Sequence, residues 1–185
     1  MSITVPMRIK ILILLVSIGC IIIYINSKEA DRLPKNEMEF IQLNEYTKDQ
    51  WKNAPNEIQQ ERMRSDRDQS LCQHTRTVTN WIGTVDSVGS YWSLDDAPPA
   101  SFGVKLNQNI TLRTEGSTQD SGTKIIRGTA LYNSIGRLTK GQKVIFSGEF
   151  LPGAKTCFDE TSFTDNGSLM DPNYIFKFTE VSASQ

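Results

Sequence analysis

Histidine is nearly missing from this 185-residue chain, and His74 is the only one. A metal centre built on several imidazoles is therefore excluded, as is a nucleophile served by a second histidine. A Ser-His-Asp site would have to use His74, which follows a predicted helix and reads instead as a surface or capping residue. No glycine-rich loop opens a helix, so nucleotide hydrolysis has no support. The adjoining acids Asp95 and Asp96, and Asp159 and Glu160, lack EF-hand spacing and read as solvated loop charges. Excess positive charge is lacking too. The 20 basic residues face 21 acidic ones, and two of the basic ones, Arg8 and Lys10, sit ahead of Lys28 with no acid beside them. Phosphate-backbone binding depends on clustered Lys and Arg, so nucleic acid is not the expected partner. No cofactor and no metal is implied, and the chain is not expected to be an enzyme.

Long apolar runs are also scarce, with one exception. "ILILLVSIGCIIIYI", residues 11–25, is diluted only by Ser17, Gly19 and Cys20. With Ile9 included it approaches the roughly 20 residues that a membrane helix needs. No small-x-small cleavage site follows directly, which favours an uncleaved signal anchor over a cleaved signal peptide or a lipid anchor at Cys20. Residues 1–27 are thus expected to form a transmembrane helix, with membrane contact through 9–25. The short flank carrying Arg8 and Lys10 stays inside, and the rest is exported. The expected location is a single-pass inner-membrane protein whose soluble domain lies in the periplasm or outside the cell.

Cysteine is sparse as well. Cys20 lies in the apolar run, so Cys72 and Cys157 are the only two in the exported part. In an oxidising compartment they suit one disulfide closing a long loop; the alternative is two separate buried thiols.

Residues 28–52 read as a polar linker, within which "MEFIQLNEY" (38–46) is able to form a short helix or strand that docks on the body. A helix is predicted over 53–75, with start signals at Pro55, Asn56 and Glu57. Its inward contacts are expected to be Ile58, Met63 and Leu71. Arg62, Arg64 and Arg67, mixed with acids, mark a solvated face. From residue 76 the pattern changes to period two, giving strands near 77–88, 102–107 and 110–114. "TALYNSIGRL" (129–138) returns to helical spacing through Leu131, Ile135 and Leu138. Two strands follow, at 142–150 and 174–181, separated by a polar insertion. Val144, Phe146 and Phe150 share one face of the first, and Tyr174, Phe176 and Phe178 one face of the second. Gly148 is expected to let the fourth strand coil tightly.

Three strands, a short helix and two more strands is the element order of the OB-fold, a five-stranded Greek-key barrel. The fold expected is therefore mainly β: an OB-fold-like barrel over 76–185 with one short helix, preceded by a packed helix and the transmembrane helix. Residues 78–182 resemble the tRNA-anticodon-like group of OB-folds. The resemblance is carried by Gly83-Thr84-Val85 and by "LTKGQKVIFSG" (138–148), which fits L-x-x-G-x-x-V-x-F-x-G. More widely, residues 50–182 resemble uncharacterised bacterial envelope proteins with an N-terminal anchor, through "APNEIQQ", "NWIGTV" and "GQKVIFSGEF". The resemblance implies binding of nucleic acid, oligosaccharide or protein, and it is nearly silent on chemistry because OB-folds serve many roles.

Aromatic side chains mark the candidate binding residues. Tyr91 and Trp92 fall in the loop between the first two strands, which borders the usual OB ligand face. They offer a stacking platform or, alternatively, a lid on the barrel mouth. Trp81 sits within the first strand, where core packing is the leading alternative to ligand contact. Phe102 and Arg113 complete the set. The expected function is non-catalytic binding of a protein partner in the envelope. An oligonucleotide- or glycan-binding module is the runner-up, and an OB-fold nuclease using Arg113, Glu115 and Arg127 comes third.

Overall fold

A computed structural model describes residues 33–91, 98–115, 122–153, 156–162 and 164–184. The predicted membrane anchor lies outside the described residues. Among them, no helix is long and apolar enough to cross a membrane.

The barrel begins with one long strand that serves two neighbours. Strand β1 (Thr77–Ser90) pairs antiparallel with β4 (Lys143–Phe150) through its first half and with β2 (Ala100–Lys105) through its second. Two register shifts, between Val78 and Trp81 and between Val85 and Ser87, turn the strand from one neighbour to the other. At the first, Asn80 takes φ 57°, a left-handed conformation that Asn tolerates, and its N–H donates to Ser147 Oγ at 3.2 Å. Gly83 sits at the bend, where a methyl group would overlap the Val104 side chain.

Strand β3 (Thr111–Arg113) pairs antiparallel with β2 and parallel with β5 (Asn173–Ala183), and β5 pairs antiparallel with β4. The order β1-β2-β3-β5-β4 closes into a five-stranded mixed barrel, compatible with an OB-fold-like domain. The expected inward faces are buried: Val144, Phe146 and Phe150 on β4, and Tyr174, Phe176 and Phe178 on β5. At Gly148 a methyl would overlap the Lys177 carbonyl oxygen and the Phe176 ring, so only glycine allows β4 to lie this close to β5.

Three helices and one addition complete the domain. The short helix α3 (Ala130–Ile135) occupies the OB position between β3 and β4 and rests on β5, with Ile135 and Leu138 buried. Thr129 caps it by accepting the Tyr132 N–H. Helix α2 (Glu57–Leu71) is capped by Asn56, which accepts the Gln59 N–H at 3.1 Å. Its inward face differs from the expected one. Leu71 is buried and Met63 half-buried, but Ile58 is 80 % exposed. Arg67, expected on the solvated face, is buried instead. Its guanidinium reaches Glu160 and Asp68, both at 2.8 Å, and the Ser168 carbonyl at 2.7 Å, so the charge is fully partnered. These contacts hold the β4–β5 connection, including its own one-and-a-half-turn helix α4 (Asp165–Met170), against α2. The Cys72–Cys157 disulfide joins the same two regions, with 5.1 Å between Cα atoms.

The expected linker over 28–52 is corrected by an 18-residue helix, α1 (Lys35–Lys52). Phe40 explains why the segment is ordered. Its ring enters the core among Trp81, Phe150, Phe158 and Tyr174, with centroids 5.1–6.0 Å away. Polar side chains fasten the rest. Asn36 Oδ1 accepts from Trp81 Nε1 at 3.1 Å, and Asn44 Oδ1 accepts from the Tyr174 hydroxyl at 2.6 Å. Glu45 accepts from the side-chain amides of Asn107 and Asn109 in the β2–β3 turn. Glu37, fully buried, accepts the Ile82 N–H at 2.9 Å on Oε2, supplying an acceptor where β1 has passed the end of β2. Its other oxygen, Oε1, has no hydrogen-bond partner among the described residues.

Candidate binding face

Alternation along β2 decides what the barrel shows to solvent. Ala100, Phe102 and Val104 point inward and are buried, which turns Ser101, Gly103 and Lys105 outward. On β3, Leu112 is the inward residue and Arg113 the outward one. Register then sets the rows. Gly103 pairs with Ser87 of β1 on one side and with Arg113 of β3 on the other, so Ser87, Gly103 and Arg113 form one line across three strands. Ser101 pairs with Gly89 in the adjoining row. Glycine adds no side chain at the middle of the first line, and the Ser87 hydroxyl leans over it, so Gly103 is itself buried.

Tyr91 closes one side of this face. Its N–H bonds the Pro99 carbonyl at 3.0 Å across the base of the β1–β2 loop. Its hydroxyl donates to the Thr114 carbonyl at 2.7 Å, and Thr114 Oγ1 lies 2.6 Å from the same hydroxyl. Burial pushes the Tyr91 phenol above its ordinary range, against the lowering effects of the Thr114 hydrogen bond and of Arg113 nearby. Thr161, from the β4–β5 connection, closes another side. The enclosed cleft has a volume of about 300 Å³ and is lined by Ser87, Tyr91, Ser101, Phe102, Arg113, Thr114, Glu115 and Thr161. It therefore lies on the β2–β3 surface, between the β1–β2 loop and the β4–β5 connection, where OB-folds hold ligands.

The polar groups of the cleft are largely uncommitted. Arg113 is half-buried, and no hydrogen bond or ion pair engages its guanidinium among the described residues. The Ser87, Ser101 and Thr161 hydroxyls are equally unengaged among them. Glu115 donates its backbone N–H to Thr123 Oγ1 at 2.9 Å and is part of the cleft lining. Lys105, one row away, is 3.5 Å from Asp86.

The five residues singled out from sequence thus separate. Tyr91, Phe102 and Arg113 come together at the cleft, though Phe102 only as a buried floor whose ring packs on Phe178, 4.9 Å between centroids. Trp81 is elsewhere. It is 2 % exposed and packed against Phe40 and Phe150, so it serves the core. Trp92 lies outside the described residues, as do Asp95 and Asp96. Of the acid–arginine set considered for a nuclease, Arg113 and Glu115 line the cleft and Arg127 does not. Glu160 is held in the ion pair with Arg67, with burial raising its carboxyl and the Arg67 charge opposing that rise. Among the described residues, no group of three or more His, Cys, Asp or Glu side chains converges in a way that could hold a metal ion.

Sequence reasoning missed Ser87, Ser101 and Thr161, whose hydroxyls line the cleft. Small polar residues at outward positions of β1 and β2 were the signal for Ser87 and Ser101. Thr161 had none, because the insertion has no period of its own. Comparison with protein-family models, with curated proteins and with solved structures finds no match to this chain, so the chemistry of the cleft rests on its own geometry.

Proposed function

We propose that this chain is a membrane-anchored module of the bacterial cell envelope that binds a protein partner on its β2–β3 face without catalysis. The carrying observation is the half-buried Arg113, which has no partner among the described residues, set among hydroxyls that are equally unengaged there. A guanidinium that exchanges water for a carboxylate or carbonyl gains a charge-assisted hydrogen bond, which a bound chain supplies. Anchoring is supported by the apolar run 11–25, and export by the Cys72–Cys157 bridge, since structural disulfides persist in oxidising compartments. Together they support a single-pass inner-membrane topology with the barrel in the periplasm or outside the cell.

A second reading, a glycan- or oligonucleotide-binding module, draws support from the same hydroxyls, which suit sugar rings.

Both readings are tested with a photo-crosslinking amino acid placed at the exposed Ser87 of the full chain, in the envelope of cells that make it. A discrete ultraviolet-dependent adduct that proteinase digestion removes supports the protein partner. An adduct removed only by nuclease or glycosidase supports the second reading. The same residue introduced at Lys177, exposed on β5, is the control, and equal adducts at both positions would sink the assignment of the face.

A further inference from the structure

We propose that Arg113 is the receptor for a peptide carboxylate, which is the anchor by which the partner enters the cleft. This rests on the β2–β3 face being the partner surface, and it names the chemistry recognised there.

The guanidinium is planar and offers paired N–H donors, a geometry that two carboxylate oxygens match in parallel. Arg113 projects from the shortest strand of the barrel at the end of the row Ser87, Gly103, Arg113, where glycine places no side chain between it and Ser87. No acid of the described residues claims it, although Glu115 lines the same cleft. An arginine kept half-buried and unclaimed next to an acid is arranged for an incoming anion.

The neighbours decide which anion. A phosphodiester chain places a charge at every residue and needs several cations along its path. Here Lys105, the next cation on the face, already faces Asp86 at 3.5 Å, and Glu115 would repel a second negative charge. The cleft therefore offers one positive group, one negative group and three hydroxyls. That set suits a single carboxylate accompanied by peptide N–H and C=O groups, with Glu115 accepting an N–H and Ser101 or Thr161 meeting a carbonyl. The volume of about 300 Å³ is at the lower end for ligand pockets, the size of one residue and its flanking peptide groups. The carboxylate has two sources in a partner, an acidic side chain or a chain terminus, and the experiment separates them.

The full chain in detergent micelles is titrated with three tripeptides while backbone amide signals are followed by NMR. The probes are acetyl-Gly-Glu-Gly amide, acetyl-Gly-Gly-Gly with a free C-terminus, and acetyl-Gly-Gln-Gly amide. A short thymidine oligonucleotide is the fourth probe. Signals of residues 101–103 and 113–115 are expected to move with one of the first two peptides at millimolar concentration, and tenfold less with the glutamine peptide. The peptide that moves them identifies the source. Arg113→Gln is expected to weaken that binding at least tenfold, and Arg113→Lys several-fold, because charge is kept and the fork is lost. An unchanged spectrum elsewhere shows that both variants fold. Equal response to the glutamine peptide, retained binding in Arg113→Gln, or tighter binding of the oligonucleotide would overturn the carboxylate. The face and the anchor fail separately. Protein adducts at Ser87 that persist in Arg113→Gln leave the face standing and remove the anchor, whereas no adduct in the unaltered chain removes the face.

Discussion

Glu37→Gln is the substitution that reports most directly on how α1 is held. In the folded chain, burial raises the Glu37 carboxyl from 4.5 to about 7, against the lowering effect of the Ile82 N–H. Each pH unit of difference between folded and unfolded states corresponds to about 1.4 kcal/mol, so the full difference is worth about 3 kcal/mol. The direction is set by which state holds the proton. Below pH 4.5 both states are protonated, and the stability linked to Glu37 is fully present. As pH rises toward 7, the unfolded chain releases the proton and the folded one keeps it, so stability falls. Above 7 both are ionised and the loss is complete. Glutamine cannot ionise, and its carbonyl oxygen still accepts the Ile82 N–H. Its amide nitrogen takes the place of Oε1, which has no partner, at a pH-independent cost of about 1–3 kcal/mol. The assay is urea unfolding followed by tryptophan fluorescence, on the full chain in mild detergent, from pH 4 to pH 8. Every other titrating group is common to the two proteins, so the difference between their stability curves isolates Glu37. That difference is expected to change by about 3 kcal/mol across the range, in favour of glutamine at high pH. Two parallel curves would refute the reasoning, and so would a change of the opposite sign.

Phe40→Ala is expected to destabilise the domain by about 3–5 kcal/mol and lower its melting temperature, because the ring touches four core aromatics. Removing the disulfide by Cys72→Ala with Cys157→Ala, across a sequence separation of 85, should cost about 4–5 kcal/mol in urea unfolding. Mass spectrometry of the non-reduced protein should show the crosslink, and free thiols at both positions would contradict it. Tyr91→Phe deletes only the hydrogen bond to Thr114, so a loss of about 1 kcal/mol is expected in thermal melts. Captured partner should be unchanged in that variant, because the ring stays in place.

The strands were legible because their information is local. Val144, Phe146 and Phe150 recur at even spacing, and so do Tyr174, Phe176 and Phe178, so period two picks out one inward face on each strand even though Ile145 and Ile175 stand between them. Gly83 and Gly148 stood out for the same reason, as interruptions of a clear pattern. Helix α1 was legible only as a short docking segment at 38–46, and its full length was not, because its buried side includes Glu37, Asn44, Thr47 and Lys48. Their partners lie far along the chain, and no hydrophobic stripe announces them. Arg67 misled for a similar reason: its compensating groups on Glu160 and Ser168 are 93 and 101 residues away. Ile58 looked like a core residue by type, yet the first turn of α2 stands clear of the barrel. At the cleft, Tyr91 and Arg113 could be nominated by residue type and strand position. Their neighbours Ser87, Ser101 and Thr161 are assembled by cross-strand register and by the β4–β5 connection, which composition does not encode.

The bridge between Cys72 and Cys157 also divides the chain mechanically. Strands β1, β2, β3 and β4 and helix α3 all lie between the two cysteines, while α1, α2, α4 and β5 lie outside. Tension applied between the N-terminal side and the C-terminus runs through the sulfur–sulfur bond and bypasses everything in the loop. At about 3.4 Å per residue, roughly 290 Å of extension is withheld from such a pull. Among the described residues the only strand on the load path is β5, and peeling it from β3 and β4 opens the barrel while four strands stay gathered in a covalent ring. A pull applied at the β2–β3 face loads the domain differently, since the grip then lies inside the ring. Force entering there passes along β1 to α1, whose Asn36 and Glu37 hold Trp81 and Ile82.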